Sequence, residues 1–379
     1  MKKKITTFLL SLTLCVGITA CSFLPQTSGA GTSLSSSNLD IVEGSEEEST
    51  LSSRVESYEY SSVEGEETEV ADLSVHFLEL GNATSGDCTL IKTGNTEVLI
   101  DAGSTTGSAK TIVPYIQKYC TDGILEYVIA THGDQDHIAA FVGSSTYNGV
   151  FDSFVCETII DFPKTTKSTD IYKDYVAKRG AEVALGATHY TALQCYNQTD
   201  GAKRSYTLGE GITMNFLYQK YYVESTSNEN NYSVCTLISQ GKDNHYLFTG
   251  DLESSGEVSL VANNTLPKCK LYKAGHHGSS TSSTSALISV IQPEIVVACC
   301  CASDKHDFPH QEFINNVAPY TDKVYVPAMK SGSSYALMNG NIVVNSVKGQ
   351  ITVSCSNNDT LLKDTAWFKE NRTMPTAWS

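Results

Sequence analysis

Basic charge is scarce in this chain. Its 379 residues carry 26 Lys and Arg against 42 Asp and Glu, a net charge of −16, and that balance lacks the basic footprint of a tight, nonspecific nucleic-acid binder. None of its 12 cysteines are spaced as Cys-x-x-Cys, which argues against a structural zinc knuckle. No repeat recurs at solenoid spacing, so stacked-repeat architectures are excluded. After the N-terminus no apolar run is long enough to span a bilayer. What remains is ample chain for one sizeable core.

The N-terminus carries an export pattern. Lys2, Lys3 and Lys4 precede the apolar run Ile5 to Ile18, which is too short to span comfortably and reads as a signal segment. It ends in Ile18-Thr19-Ala20-Cys21, which resembles a bacterial lipobox. That resemblance implies cleavage after residue 20 and a lipid on Cys21, which would hold the exported protein on the extracytoplasmic face of the membrane. Acyl chains contribute about 0.8 kcal/mol per buried methylene, and stable anchoring takes more than one chain. From Ser22 to about Asp72 the residues are mainly Ser, Thr, Gly and Glu, with twelve acids and one base, Arg54. The stretch therefore carries −11, the signal segment +3, and the remainder −8. Such a segment buries too little surface to fold and its charges keep it extended. The expected organisation is a signal peptide over 1–20, a lipidated, disordered acidic tether over 21–72, and one domain over 73–379.

Within that domain, short apolar or alternating runs predict strands at Val75 to Leu80, Cys88 to Lys92, Glu97 to Ile100 and Glu126 to Ala130. Helical spacing runs from Ser108 to Tyr119, with Pro114 placed near the first turn, where proline is tolerated. The stretch from Tyr147 to Gly209 reads as loop-rich. Strands return at Ile212 to Leu217, Val234 to Ser239, His245 to Phe248, Lys270 to Lys273, Glu294 to Cys301 and Lys323 to Val326. A hairpin over Asn341 to Cys355 turns at Lys348-Gly349. Most of the ten domain cysteines sit in apolar runs, as small buried hydrophobes do. Strand groups flanked by few helices fit two sheets covered by helices.

The chemistry concentrates at strand ends. His132-Gly133-Asp134-Gln135-Asp136-His137 follows directly on a strand. Four ligand-type side chains on one tight turn repel or desolvate one another unless a cation neutralises them. Imidazole with carboxylate suits zinc, manganese or iron better than magnesium or calcium. Three further strands end in the same way, in Asp101-Ala102-Gly103, in Thr249-Gly250-Asp251, and in Lys273-Ala274-Gly275-His276-His277-Gly278-Ser279. Ligand types at neighbouring strand ends are a common way to assemble a site on a sheet scaffold.

This order of motifs resembles the metallo-β-lactamase superfamily, most nearly the hydrolase domain of ComEC-type competence proteins and its stand-alone relatives. The resemblance runs from about Leu73 to about Tyr325, plus a C-terminal β element. Gly86-Asp87, Asn231-Tyr232-Ser233, Glu257 and Pro309-His310 also match. It implies an α/β fold, a four-layer αββα sandwich, holding one or two divalent metal ions, zinc or manganese. His132 and Asp134 would hold the first ion, with Asp136, His137 and His276 on the second and Asp251 bridging. Asp101 would orient the histidines from behind. His277 would be a ligand or a substrate contact, the sequence not separating it from His276, and Asn231 and Lys273 would support the ligands or touch substrate. A metal-bound hydroxide would attack, with Asp136 orienting it and His310 or His306 donating a proton, since Phe308 stands where relatives often have histidine.

Two departures from that pattern shape the expected chemistry. Asp134 replaces a histidine of the general motif. The isolated third-motif histidine has no counterpart; His189 and His245 lie in unsuitable settings and Asn231 takes that region. The first half is therefore richer in oxygen, which favours manganese or a single ion. Asp134 also turns the expected substrate from lactams towards phosphodiesters, either nucleic acid or an envelope polymer of the teichoic-acid kind. No protein partner is inferred. The alternatives are a non-catalytic envelope binding module on the same fold, which predicts missing ligands, and a lactone or thioester hydrolase, disfavoured by Asp134.

Overall fold

A computed structural model describes residues 70–379. The expected signal segment, Cys21 and the tether through residue 69 lie outside the described residues. Strands β1 (Leu73–Phe77), β2 (Thr89–Thr93) and β3 (Thr96–Ile100) lead into helix α1 (Ala109–Ile116). Then come β4 (Ile124–Ile129), α2 (Gln135–Val142), α3 (Val150–Ser153), β5 (Val155–Asp161), α4 (Asp170–Leu185), β6 (Thr188–Thr191) and α5 (Ala192–Asn197). The antiparallel run β7 (Ser205–Gly209), β8 (Ile212–Leu217), β9 (Cys235–Gln240) and β10 (Asn244–Phe248) follows. Next are α6 (Ser254–Asn263), β11 (Leu271–Lys273), α7 (Ser285–Ile291), β12 (Ile295–Val297), β13 (Cys301–Ala302), α8 (Gln311–Val317) and β14 (Val324–Tyr325). The chain closes with β15 (Ala328–Ser331), β16 (Ser334–Leu337), the hairpin β17 (Ile342–Val347) and β18 (Gln350–Cys355), and α9 (Ala366–Asn371).

One sheet has the order β18-β17-β1-β2-β3-β4-β5-β6, the second β14-β12-β11-β10-β9-β8-β7, and β13, β15 and β16 form a small third sheet. The two large sheets share a core: Val75, Phe77 and Ile91 of the first lie in one buried cluster with Ile238, Tyr246 and Phe248 of the second. The rings of Phe77 and Phe248 are 6.4 Å apart. Because successive strand residues face opposite ways, Leu237 and Leu247 fall on the other face of the second sheet. There they join Leu260 of α6, Leu287 and Ile288 of α7 and Phe313 of α8. Each such side chain contributes about 1.5–3 kcal/mol when fully buried. On the outer face of the first sheet, Ile112 and Ile116 of α1, Phe141 of α2 and Tyr175 of α4 are buried. This is the expected four-layer αββα sandwich.

The hairpin turns at Lys348-Gly349 as expected, both residues having positive φ (49° and 74°). Three sequence expectations are corrected. The stretch from 147 to 209 is not loop-rich: it holds α3, β5, α4, β6, α5 and β7. Helix α4 is the longest among the described residues at 16 residues, but only Tyr175 and Glu182 in it are buried, so it shows no apolar stripe. The run from Glu294 to Cys301 is not one strand; it breaks after Val297 and its end passes to the third sheet. Pro114 lies well inside α1, on an exposed position. The hydrogen bond it cannot make falls to the carbonyl of Lys110, itself exposed, where water can satisfy it.

Strands β3 to β6 run parallel, as do β10, β11, β12 and β14. β1 is antiparallel to β2, and β2 to β3, so β1 points the same way as β3. All four motif segments follow the C-terminal ends of β3, β4, β10 and β11, where α/β sheets collect their ligand sites.

Candidate metal centre

Asp101 organises the centre from behind. It follows β3 with φ 60°, a left-handed conformation that a short acid tolerates better than a branched residue. Its Oδ1 accepts the backbone N–H of Thr131 (2.7 Å), and its Oδ2 accepts the Thr131 hydroxyl (2.8 Å) and His137 Nδ1–H (2.8 Å). With Nδ1 so occupied, His137 turns its Nε2 lone pair forward. His132 Nδ1 lies 3.1 Å from the Thr131 hydroxyl oxygen, and His277 Nδ1 donates to the Cys299 carbonyl (2.9 Å). His137 and His277 therefore present Nε2 to one space, while His132 Nε2 lies 3.5 Å from Asp134 Oδ2.

Asp251 is the hub of that space. Its Oδ2 is 3.1 Å from His137 Nε2, 3.3 Å from His277 Nε2 and 3.9 Å from His276 Nε2. The turn that carries it is fixed by the Ser233 hydroxyl, which accepts the Asp251 N–H at 3.0 Å. Asp136 approaches His277 Nε2 at 3.4 Å. Asp87, His137, Asp251 and His277 each place one donor atom within 4.8 Å of the others, and all four are buried. Lys273 is buried with them. It pairs with Asp87, lies 3.5 Å from Asp251 Oδ1 and donates to the Gly250 carbonyl (3.0 Å). The loop that follows Asp101 packs hard against the metal turn: a Cβ on Gly103 would sit 1.5 Å from the Asp136 carbonyl oxygen, so only glycine fits.

The donor set passes a direct test of fit to a metal. Nε2 of His132, His137 and His277 and Oδ1 of Asp251 are buried without a hydrogen-bond partner. Leaving such polar groups unsatisfied is costly, and a cation held by His137, His277 and Asp251 satisfies three of the four at once. The electrostatics agree. Burial works to raise the Asp251 carboxyl, but His137, His277, His276 and Lys273 outweigh it and hold it well below the carboxylate range. Burial likewise opposes ionised Asp87, and Lys273 and His277 overcome it. Burial alone would lower His137 and His277, yet the surrounding acids, Asp251 foremost, hold both well above the usual imidazole value. Protons thus compensate these acids where a cation would, and binding one would release them.

The predicted residues do not all meet here. His277 lies in the buried cluster, whereas His276 stands at the rim with its side chain 23% exposed, its Nδ1 near Thr281 Oγ1 (3.2 Å) and Glu253 Oε1 (3.5 Å). Asn231 is buried outside the cluster and braces the chain: its Oδ1 accepts the Glu253 N–H (3.2 Å) and its carbonyl accepts Gln219 Nε2–H (2.8 Å). His310 Nδ1 accepts the Ser280 N–H (2.9 Å), while its Nε2–H donates to the His306 carbonyl (2.9 Å). Phe308 is a ring neighbour of His276, His277 and His310. Asp134 is at the edge, with Oδ2 3.5 Å from His132 Nε2 and Oδ1 paired with Lys167. Sequence reasoning gave Asp87 no role, although its place behind Gly86 after β1 was a usable signal. It gave Lys167 no part in the site and passed over Glu229.

A sequence model of the metallo-β-lactamase superfamily matches residues 81–143, the span carrying Asp87, Asp101 and the His132 to His137 turn. The fold and the donor set described above agree with that match over this span. The chain is similar to two longer proteins. Recombination protein 2 of Haemophilus influenzae is 25% identical over 244 residues, covering 63% of this chain and 26% of that protein. ComE operon protein 3 of Bacillus subtilis is 25% identical over 219 residues, covering 57% and 25%. The chain therefore spans about a quarter of the length of these relatives. Among solved structures, the metallo-β-lactamase fold protein YhfI of Bacillus subtilis aligns with 67% of this chain and 96% of its own, at 13% identity and TM-score 0.39. No helix among the described residues is long and apolar enough to cross a membrane.

Proposed function

We propose that the protein is an exported, lipid-anchored hydrolase that uses zinc or manganese to cleave phosphodiesters. The observation that carries this reading is the pair of unpartnered imidazole Nε2 atoms, of His137 and His277, around buried Asp251. Asp87, Asp136, His137, Asp251 and His277 would hold the ion, with His132 and Asp134 beside them. A divalent ion in such a centre supplies Lewis acidity and lowers the pKa of water towards about 7. The chain's own groups divide the remaining work. Asp101 fixes the ring orientation of His137, and Cys299 that of His277. Asp136, a third exposed, is the carboxylate placed to orient an attacking water and take its proton.

Asp134 in place of histidine favours a phosphodiester over a lactam. The name of one relative, Recombination protein 2, supports nucleic acid over an envelope polymer, while the acidic balance of the chain favours brief contact over tight tracking along a strand. The purified chain, reconstituted with manganese or zinc, is to be assayed on bis(p-nitrophenyl)phosphate, single-stranded DNA, a choline-substituted teichoic acid, a lactone and a β-lactam. The expected result is turnover of phosphodiesters, abolished in Asp136→Ala. Turnover of the lactone or lactam alone, or full activity in Asp136→Ala, overturns the proposal.

A further inference from the structure

We infer that the centre holds one tightly bound divalent ion, and that Lys167 is the resident positive charge of its other half; this rests on the metallohydrolase reading above. Asp134 is the N-cap residue of α2, yet its side chain makes no capping hydrogen bond. An N-cap aspartate ordinarily accepts from the first turn of its helix. Here the carboxylate turns away, with one oxygen on the Lys167 ammonium and the other facing His132 Nε2 at 3.5 Å.

Lys167 is not a loose surface side chain. The segment carrying it is strapped to the metal turn by a single buried carboxylate, Glu229. That group accepts the Thr165 hydroxyl (2.6 Å), the Thr166 N–H (2.6 Å) and hydroxyl (2.8 Å), and the Gly133 N–H (3.1 Å). The Lys167 N–H in turn donates to Thr165 Oγ1 (2.9 Å). The lysine stem passes so close to Gly133 that a Cβ there would lie 3.1 Å from Lys167 Cγ. The strap and the turn are thus one unit, and the ammonium is delivered to Asp134 by design of the backbone rather than by chance.

The two halves are unequal in donors. Asp87, Asp136, His137, Asp251 and His277 surround one position. The other has His132, Asp134 and a share of Asp251, and Asn231 is turned to Glu253 and Gln219. An ion entering there would have to displace an ammonium from one of its few ligands and then sit beside that charge. Removing the ammonium frees Asp134 to join His132, whose buried Nε2 has no partner, and a second ion can bind.

The test is metal stoichiometry, which does not depend on turnover. The full chain is loaded with excess manganese, and separately zinc, then desalted and analysed for metal. Wild type is expected to retain one ion per chain, Lys167→Arg one, and Lys167→Met two, with unchanged circular dichroism in each variant. Two ions in wild type overturn the inference, as does a single ion in Lys167→Met. These outcomes are separable from the proposed activity: two ions with phosphodiester turnover leave that activity standing, and one ion without turnover overturns the activity while leaving the stoichiometry in place.

Discussion

The two halves of the centre differ in how their acids are compensated. In the deep half, Asp87 and Asp251 are almost fully enclosed among His137, His277 and Lys273, so each acid is balanced from several directions. At the rim, Asp134 has His132 behind it and Lys167 in front, and its side chain is 27% exposed. Water shares in solvating the rim acid but not the deep ones. Charges removed from water depend on their partners far more strongly than exposed ones. The deep half should therefore tolerate almost no change, and the rim half considerable change.

The largest expected effect follows from Asp251→Asn, which removes the hub: tight metal binding and hydrolysis should both be lost, measured by metal analysis and phosphodiester assay. Retention of a full complement of metal would break the contrast at its strong end. Asp101→Asn keeps the shape but weakens the hold on His137 Nδ1, and metal affinity should fall about 10–100-fold, the usual cost of losing a carboxylate behind a ligand. Asp134→Asn should cost the tight ion less than about tenfold, below that same range; a loss equal to that of Asp251→Asn would erase the distinction between the halves. Competition against a fluorescent chelator measures both affinities.

The smallest effect concerns Glu257, which braces the deep half by accepting the N–H groups of Ser283 and Thr284 and the Thr284 hydroxyl, in the segment following His277. Burial raises its carboxyl from 4.5 to about 7 against the pull of those hydrogen bonds. A folded value above the unfolded one means a stabilising contribution that is full below pH 4.5 and lost as the pH rises to about 7. The melting temperature of the metal-free chain should accordingly fall more steeply across that window than that of Glu257→Gln. Parallel curves would show that the carboxyl titrates normally.

Legibility in the sequence followed the range of the interactions. Asp101, the His132 to His137 turn and Asp251 could be found because each puts ligand-type residues straight after an apolar strand. The fold was readable where a strand alternates or runs apolar, as at Ile212–Leu217, which matches β8 to the residue. Helix α4 was not, since it covers the sheet with little more than Tyr175. Lys167 and Glu229 were beyond reach for another reason. Their partnership joins residues more than sixty positions apart through hydroxyls and backbone amides in a polar stretch, and no local pattern distinguishes such threonines from those of any solvated loop. The adjacent histidines could not be ranked from sequence either, because the choice depends on the backbone at positive φ (47° and 57°) that sends one ring inward and leaves the other at the rim.

The direction of β1 has a consequence for access. Its C-terminal end leads to Asp87, so its first residue lies at the opposite end of the sheet, about 17 Å away for five residues of strand. There Ala71 bonds to Glu210 and Gln240, and Asp72 to Lys348 at the hairpin turn. Whatever precedes Val70 therefore joins the domain on the side remote from the metal. The approach to the metal turn is thus free of the chain's point of entry at Val70.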